Sequence, residues 1–177
     1  MKTLGLLRHA KSDWDDMALR DFDRGLNDRG KRGAALMGRH IREHGTSFDL
    51  LLASPAERVR LTLEAARLDI PIRWDERIYL ADSGTLIDIL RSLEGDPAGV
   101  LLAGHNPGLQ QLIFDLVAPE AENPLLEAAA EKYPTATFAV LELAIDSWAE
   151  CAPRCGKLVH LARPRDLDPE LGPQKVG

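Results

Sequence analysis

The chain predicts an α/β fold of three layers, α/β/α, with a mostly parallel central sheet and a C-terminal antiparallel hairpin. Short apolar runs alternate with segments of helical periodicity through the first hundred or so residues, and parallel strands need such long crossovers. The last two apolar runs are separated only by a short loop around Trp148–Gly156, which favours direct antiparallel pairing.

The predicted strands are Thr3–Leu7, Phe48–Ala53, Ile70–Trp74, Gly99–Ala103, Thr137–Leu143 and Lys157–Ala162. Between Asn27 and His44 the apolar positions Ala34, Met37 and Ile41 recur at helical spacing, with Asn27 as the expected N-cap and Gly45 as the stop. The next helix is expected to take Ser54 as N-cap and Pro55 in its first turn, where the missing N–H is no loss. Asn106-Pro107 repeats that arrangement ahead of Gly108–Val117. Ala118–Pro134, with three prolines, reads as an inserted loop carrying a short helix.

A length of 177 residues and a hydrophobic fraction of 45% suit one domain, predicted over 1–167 with a tail over 168–177. The formal charge of -6 argues against nucleic acid or an anionic membrane as partner, since both need a basic surface. No apolar stretch approaches the roughly 20 residues of a membrane helix, so a cytoplasmic protein is expected. Cys151 and Cys155, in Cys-Ala-Pro-Arg-Cys, have only His160 nearby as a further soft ligand; unpaired thiols are expected, and no metal. His40 and His44 lie four apart without a recognisable third ligand, so they read as a solvated helical face and His160 as a strand residue.

Three apolar runs end in residues suited to chemistry. The first delivers Arg8-His9-Ala10-Lys11-Ser12, the second Ser54-Pro55-Ala56-Glu57-Arg58, the third Gly104-His105-Asn106-Pro107-Gly108. Strand ends of this kind are where α/β sheets bind ligands. The order and spacing of the three pieces resemble the histidine phosphatase superfamily, and Leu7–Ser12 with Gly104–Leu109 resembles its SixA-type phosphohistidine phosphatases. The resemblance extends to about Leu167, through Arg24–Gly30 and Arg163–Leu167, and implies a phosphoglycerate mutase-like fold.

A neutral imidazole held in line can attack phosphorus, dividing one hard displacement into two easier ones, and His9 is the candidate nucleophile. Arg8 and Arg58 can clamp the non-bridging oxygens, with Arg58 on the first turn of its helix, where the dipole also favours an anion. His105 can donate a further hydrogen bond in the transition state. Lys11, Ser12 and Asn106 are the candidate substrate-binding residues. Asp75–Tyr79 resembles a segment of the phosphoglycerate mutase branch that places Glu76 at the position of a general acid. Against that branch, Ala10 replaces a glycine and Asp15 stands where a phosphate-contacting asparagine is common, which argues against a sugar-phosphate mutase.

The expected activity is therefore cofactor-free phosphatase chemistry through a phosphohistidine intermediate. Protein phosphohistidine is the substrate that the resemblance implies. The alternatives are a small-molecule phosphate ester, a phosphomutase reaction, or a catalytically silent phosphate-binding signalling module.

Overall fold

In a computed structural model, residues 1–119 and 123–172 are described. Six strands form one sheet: β1 Lys2–Arg8, β2 Leu50–Ala53, β3 Ile72–Trp74, β4 Gly99–Gly104, β5 Phe138–Leu143 and β6 Gly156–Ala162. Their order is β3-β2-β4-β1-β5-β6. The first four run parallel, while β5 is antiparallel to β1 and forms the predicted hairpin with β6. Ends differ from the predicted strands by a residue or two, most at β2 and β3.

Helices α1 Asp28–His44 and α2 Glu57–Ala66 cover one face, and α3 Ser83–Arg91, α4 Gly108–Leu116 and α5 Pro124–Glu131 the other. Each strand feeds both cores because successive side chains alternate. Leu4 and Leu6 of β1, with Val100 and Leu102 of β4, join one cluster, while Leu7, Leu101 and Ala103 join the other. This is why the strands read as continuous apolar runs. The short α6, Pro164–Leu167, follows β6.

Asn27 caps α1 as expected, its side chain accepting from the Gly30 N–H at 2.7 Å, and Gly45 ends the helix in the left-handed region at φ 86°. Inside α1, a Cβ at Gly38 would stand 2.1 Å from the Ala66 carbonyl oxygen, so the glycine sets how closely α1 approaches α2.

Three local expectations are corrected. Ser54 does not cap α2: the cap position is Ala56, and the Ser54 hydroxyl is engaged by His105 instead. Pro107, not Asn106, occupies the cap position of α4, although the Asn106 side chain still accepts from the Gln110 N–H at 3.2 Å. Of the two histidines read as a solvated face, His44 is exposed but His40 is half-buried. His40 Nε2 lies 2.8 Å from His160 Nε2 with the two rings only 19° from parallel, and both rings approach Phe138. Such a nitrogen-to-nitrogen contact is a hydrogen bond when one ring donates and the other accepts. Of the predicted tail, residues 168–172 turn back on α1, with Arg32 pairing to Asp168 and Glu170; residues 173–177, like 120–122 of the predicted inserted loop, lie outside the described residues.

Candidate active site

The site is built where the parallel strands end. Arg8 pairs in register with Gly104, and Ala53 with Ala103, so the chain leaves β1, β4 and β2 side by side at one edge. The residues that follow are His9, His105 and Ser54. Two backbone bonds extend the ladder past the strands: His9 N–H to the Gly104 carbonyl at 3.0 Å, and Ser54 N–H to the Ala103 carbonyl at 3.1 Å. Arg58 arrives from the first turn of α2. Thr62, one turn further on, accepts from the Ala10 N–H at 2.9 Å and donates to the Arg58 carbonyl at 2.6 Å, tying that helix to the residue beside His9.

Hydrogen bonds define the state of each histidine. His9 Nδ1 lies 2.7 Å from the Ala10 carbonyl, which can only accept, so Nδ1 carries the proton and Nε2 keeps its lone pair. His105 Nδ1 lies 3.2 Å from Arg58 Nη2, which can only donate. Its proton is therefore on Nε2, which donates to Ser54 Oγ at 2.8 Å. The two rings sit 5.3 Å apart, centroid to centroid. Both are buried, and burial is the main reason His9 is pushed down to about 4 and His105 to about 3, with Arg58 and Arg8 adding repulsion in both cases.

Arg58 is only 5% exposed and is held by three groups besides: its guanidinium donates to the Asp21 carbonyl at 2.8 Å, to the Asp21 carboxylate at 3.0 Å and to His105. Arg8 donates through Nη1 to the Tyr133 carbonyl at 3.1 Å, while its buried Nε has no partner among the described residues. Burial lowers the Arg8 pKa, and nearby Arg58 acts in the same direction. Two guanidiniums and two neutral imidazoles thus converge with one ionised acid beside them. That acid is Asp21, kept below the usual carboxylate range first by the Tyr79 hydroxyl, which donates to it at 2.5 Å, and then by Arg58.

The structure brings together Arg8, His9, Arg58 and His105. Glu76 does not join them: it is exposed at the start of a short 3-10 turn, and no hydrogen bond ties its carboxylate to the cluster. Tyr79, three residues on, makes that contact instead, 5.4 Å from the His105 ring. Asn106 Nδ2 donates to the same Tyr133 carbonyl that takes Arg8, so its side chain is already engaged beside the cluster. Ser12 bridges to Leu26, and Lys11 is exposed just beyond His9. Asp15 is exposed in the loop, away from the histidines' bonding network.

Asp21, Ser54 and Tyr79 were missing from the sequence-based site. Asp21 comes from a polar loop with no periodic signal. Buried Arg24 gathers that loop by donating to the carbonyls of Asp13, Asp16 and Leu19 and by lying 3.9 Å over the Trp14 ring. Ser54 looked like a helix cap, and Tyr79 stood in the segment quoted for Glu76.

The family model for the histidine phosphatase superfamily (branch 1) matches residues 4–86, which contain Arg8, His9 and Arg58. An uncharacterized protein of Mycobacterium tuberculosis is 36% identical over 160 residues, 90% of this chain and 100% of the other. A structure from Agrobacterium tumefaciens, provisionally named phosphohistidine phosphatase SixA, is 30% identical and superimposes with a TM-score of 0.75 over 92% of this chain and 99% of the other. Its counterpart from Nakamurella multipartitia, named in the same way, is 27% identical with a TM-score of 0.82, covering 92% and 96%. The chain belongs to the histidine phosphatase superfamily and is of the SixA type.

Proposed function

We propose that the protein is a metal-independent phosphatase that works through a phosphohistidine at His9, with protein phosphohistidine as substrate. The observation that carries this reading is the His9–Ala10 hydrogen bond. It leaves an unprotonated Nε2 within the electrostatic reach of buried Arg58 and half-buried Arg8, which is what an imidazole nucleophile for a phosphoryl group requires.

In the first step His9 Nε2 bonds to phosphorus as the bond from phosphorus to the leaving nitrogen breaks. Arg8 and Arg58 neutralise the non-bridging oxygens, the office that metal ions fill in two-metal phosphatases. His105 gains a proton more readily once a phosphate dianion is bound, and then donates rather than accepts at Nδ1. In the second step water attacks phosphorus, releasing phosphate and restoring neutral His9. No cofactor takes part.

The leaving group is where phosphohistidine is favoured over a phosphate ester. Asp21, the carboxylate that touches the cluster, is ionised, and so serves to position Arg58 rather than to donate a proton. An alkoxide depends heavily on a positioned acid. An imidazole leaving group takes up its proton near neutral pH by itself. The names of the SixA-type structures point to the same substrate.

The test is to incubate the protein with a phosphohistidine peptide and trap the phosphoenzyme. Wild type should carry an acid-labile, base-stable phosphoryl group and release phosphate; His9→Ala should do neither while keeping its circular dichroism and thermal transition. Near-wild-type turnover by His9→Ala would overturn the mechanism. Binding of phosphate without turnover by the wild type would favour a silent module.

A further inference from the structure

A cavity of about 180 Å³ lies against Ala10 and Lys11, the two residues that follow His9. Among the described residues four cations line it, Lys11, Arg29, Lys132 and Arg165, and no carboxylate does. None of the four makes a salt bridge among the described residues. The remaining lining includes the apolar Ala10, Pro134, Ala136, Pro164 and Leu171. In a chain with 28 acidic and 22 basic residues, such a segregation of sign is a local feature that the net charge hides.

The cavity is coupled to the site through three short links. Lys11 is two residues from His9, about 7 Å of extended chain at most. Ala136 donates its N–H to the His9 carbonyl at 3.0 Å. Lys132 precedes Tyr133, whose carbonyl takes Arg8. The wall is also closely fitted: a Cβ at Gly30 would stand 2.2 Å from the Lys11 carbonyl oxygen, so α1 can approach the end of β1 only with glycine there. A second groove, sharing Leu171 with the first, continues the cationic surface along α1 with Lys31, Arg32, Arg39 and Arg42 and to Arg67 at the end of α2, against Glu64 and Asp168.

We propose that the cavity seats an acidic side chain of the substrate protein, one to three residues from the phosphorylated histidine, and so selects phosphoproteins with acidic neighbours; this rests on the phosphohistidine reading above. A glutamate or aspartate suits the lining because its methylene groups can lie on proline, alanine and leucine while its carboxylate meets the cations. The second groove extends the same attraction to an acidic surface beyond that residue.

The experiment compares three phosphohistidine peptides with glutamate, alanine or lysine on both sides of the histidine, on wild type and on Lys132→Glu/Arg165→Glu, with p-nitrophenyl phosphate as a small substrate. Wild type should prefer the glutamate peptide over the alanine peptide by roughly tenfold in kcat/KM, and raised salt should shrink the gap. The double variant should lose or reverse that order while its turnover of p-nitrophenyl phosphate stays unchanged. Equal kcat/KM for the glutamate and alanine peptides in wild type, or an unaltered preference in a double variant active on the small substrate, overturns the docking site. If the double variant is inactive on p-nitrophenyl phosphate, Lys132→Gln alone should still reduce the preference, and an unreduced preference refutes the site.

If wild type hydrolyses p-nitrophenyl phosphate but none of the peptides, the substrate reading fails by itself. The cavity is then decided by competition. An unphosphorylated glutamate-rich peptide that raises the apparent KM for p-nitrophenyl phosphate in wild type, but not in the double variant, supports it; no such inhibition removes it.

Discussion

The depressed histidines at the strand ends fix where activity and stability fail in acid. An ordinary imidazole with a pKa near 6.5 is about 9% neutral at pH 5.5, whereas one at about 4 is about 97% neutral. His9 should therefore remain a competent nucleophile well below the range of a free histidine, and the acid limb of kcat/KM for the free enzyme should lie near pH 4. Arg58→Met removes a repulsive cation from both rings and the donor to His105 Nδ1, so the surviving activity should show an acid limb moved upwards.

The same shift appears in folding. The folded-state pKa of His9 lies below the unfolded value, so its contribution is complete above about pH 6.5 and is lost as pH falls from 6.5 to about 4. The 2.5-unit difference corresponds to about 3 kcal/mol for this largely buried ring. His105, pushed to about 3, acts in the same direction, and because the two rings repel each other their contributions do not simply add. Stopped assays on a phosphohistidine peptide and urea titrations at half-unit steps from pH 4 to 8 measure both. An acid limb at pH 6 to 7 with flat stability down to pH 5 would refute the assignment of two buried neutral imidazoles.

Further outcomes follow from single contacts. Asp21→Asn keeps the shape but weakens the hold on Arg58, so kcat/KM should fall by about tenfold on both phosphohistidine and phosphoserine peptides, with Asp21→Glu recovering part of it. Glu76→Gln should leave phosphohistidine turnover within about twofold, as an exposed carboxylate away from the cluster predicts; a large loss on phosphoserine peptides alone would restore Glu76 as a general acid for esters. Gly38→Ala should lower stability by about 1–3 kcal/mol in urea titration without changing the site, because its methyl group meets the Ala66 backbone. EDTA should leave activity unchanged and vanadate should inhibit; EDTA inhibition reversed by zinc or magnesium would expose a missed metal.

The sequence by itself determined the alternation of strands and helices, the cap and stop of α1, and which residues stand at the strand ends. These follow from local causes: apolar runs buried on both faces, a side-chain cap at Asn27, a left-handed glycine at Gly45. The identities of Arg8, His9, Arg58 and His105 were legible because three of them stand within two residues of an apolar run and Arg58 in the first turn of the helix that follows one. Tertiary structure decided everything that depends on neighbours distant in sequence. The strand order placed β4 between β1 and β2, and only that order sets His105 between His9 and Ser54. It turned Ser54 from a helix cap into a partner of His105, brought Asp21 and Tyr79 to Arg58 in place of Glu76, and joined His40 to His160 across the sheet's edge. Periodicity and capping act within one element, whereas a hydrogen bond between residues tens of positions apart is fixed only when the sheet has chosen which strands lie side by side.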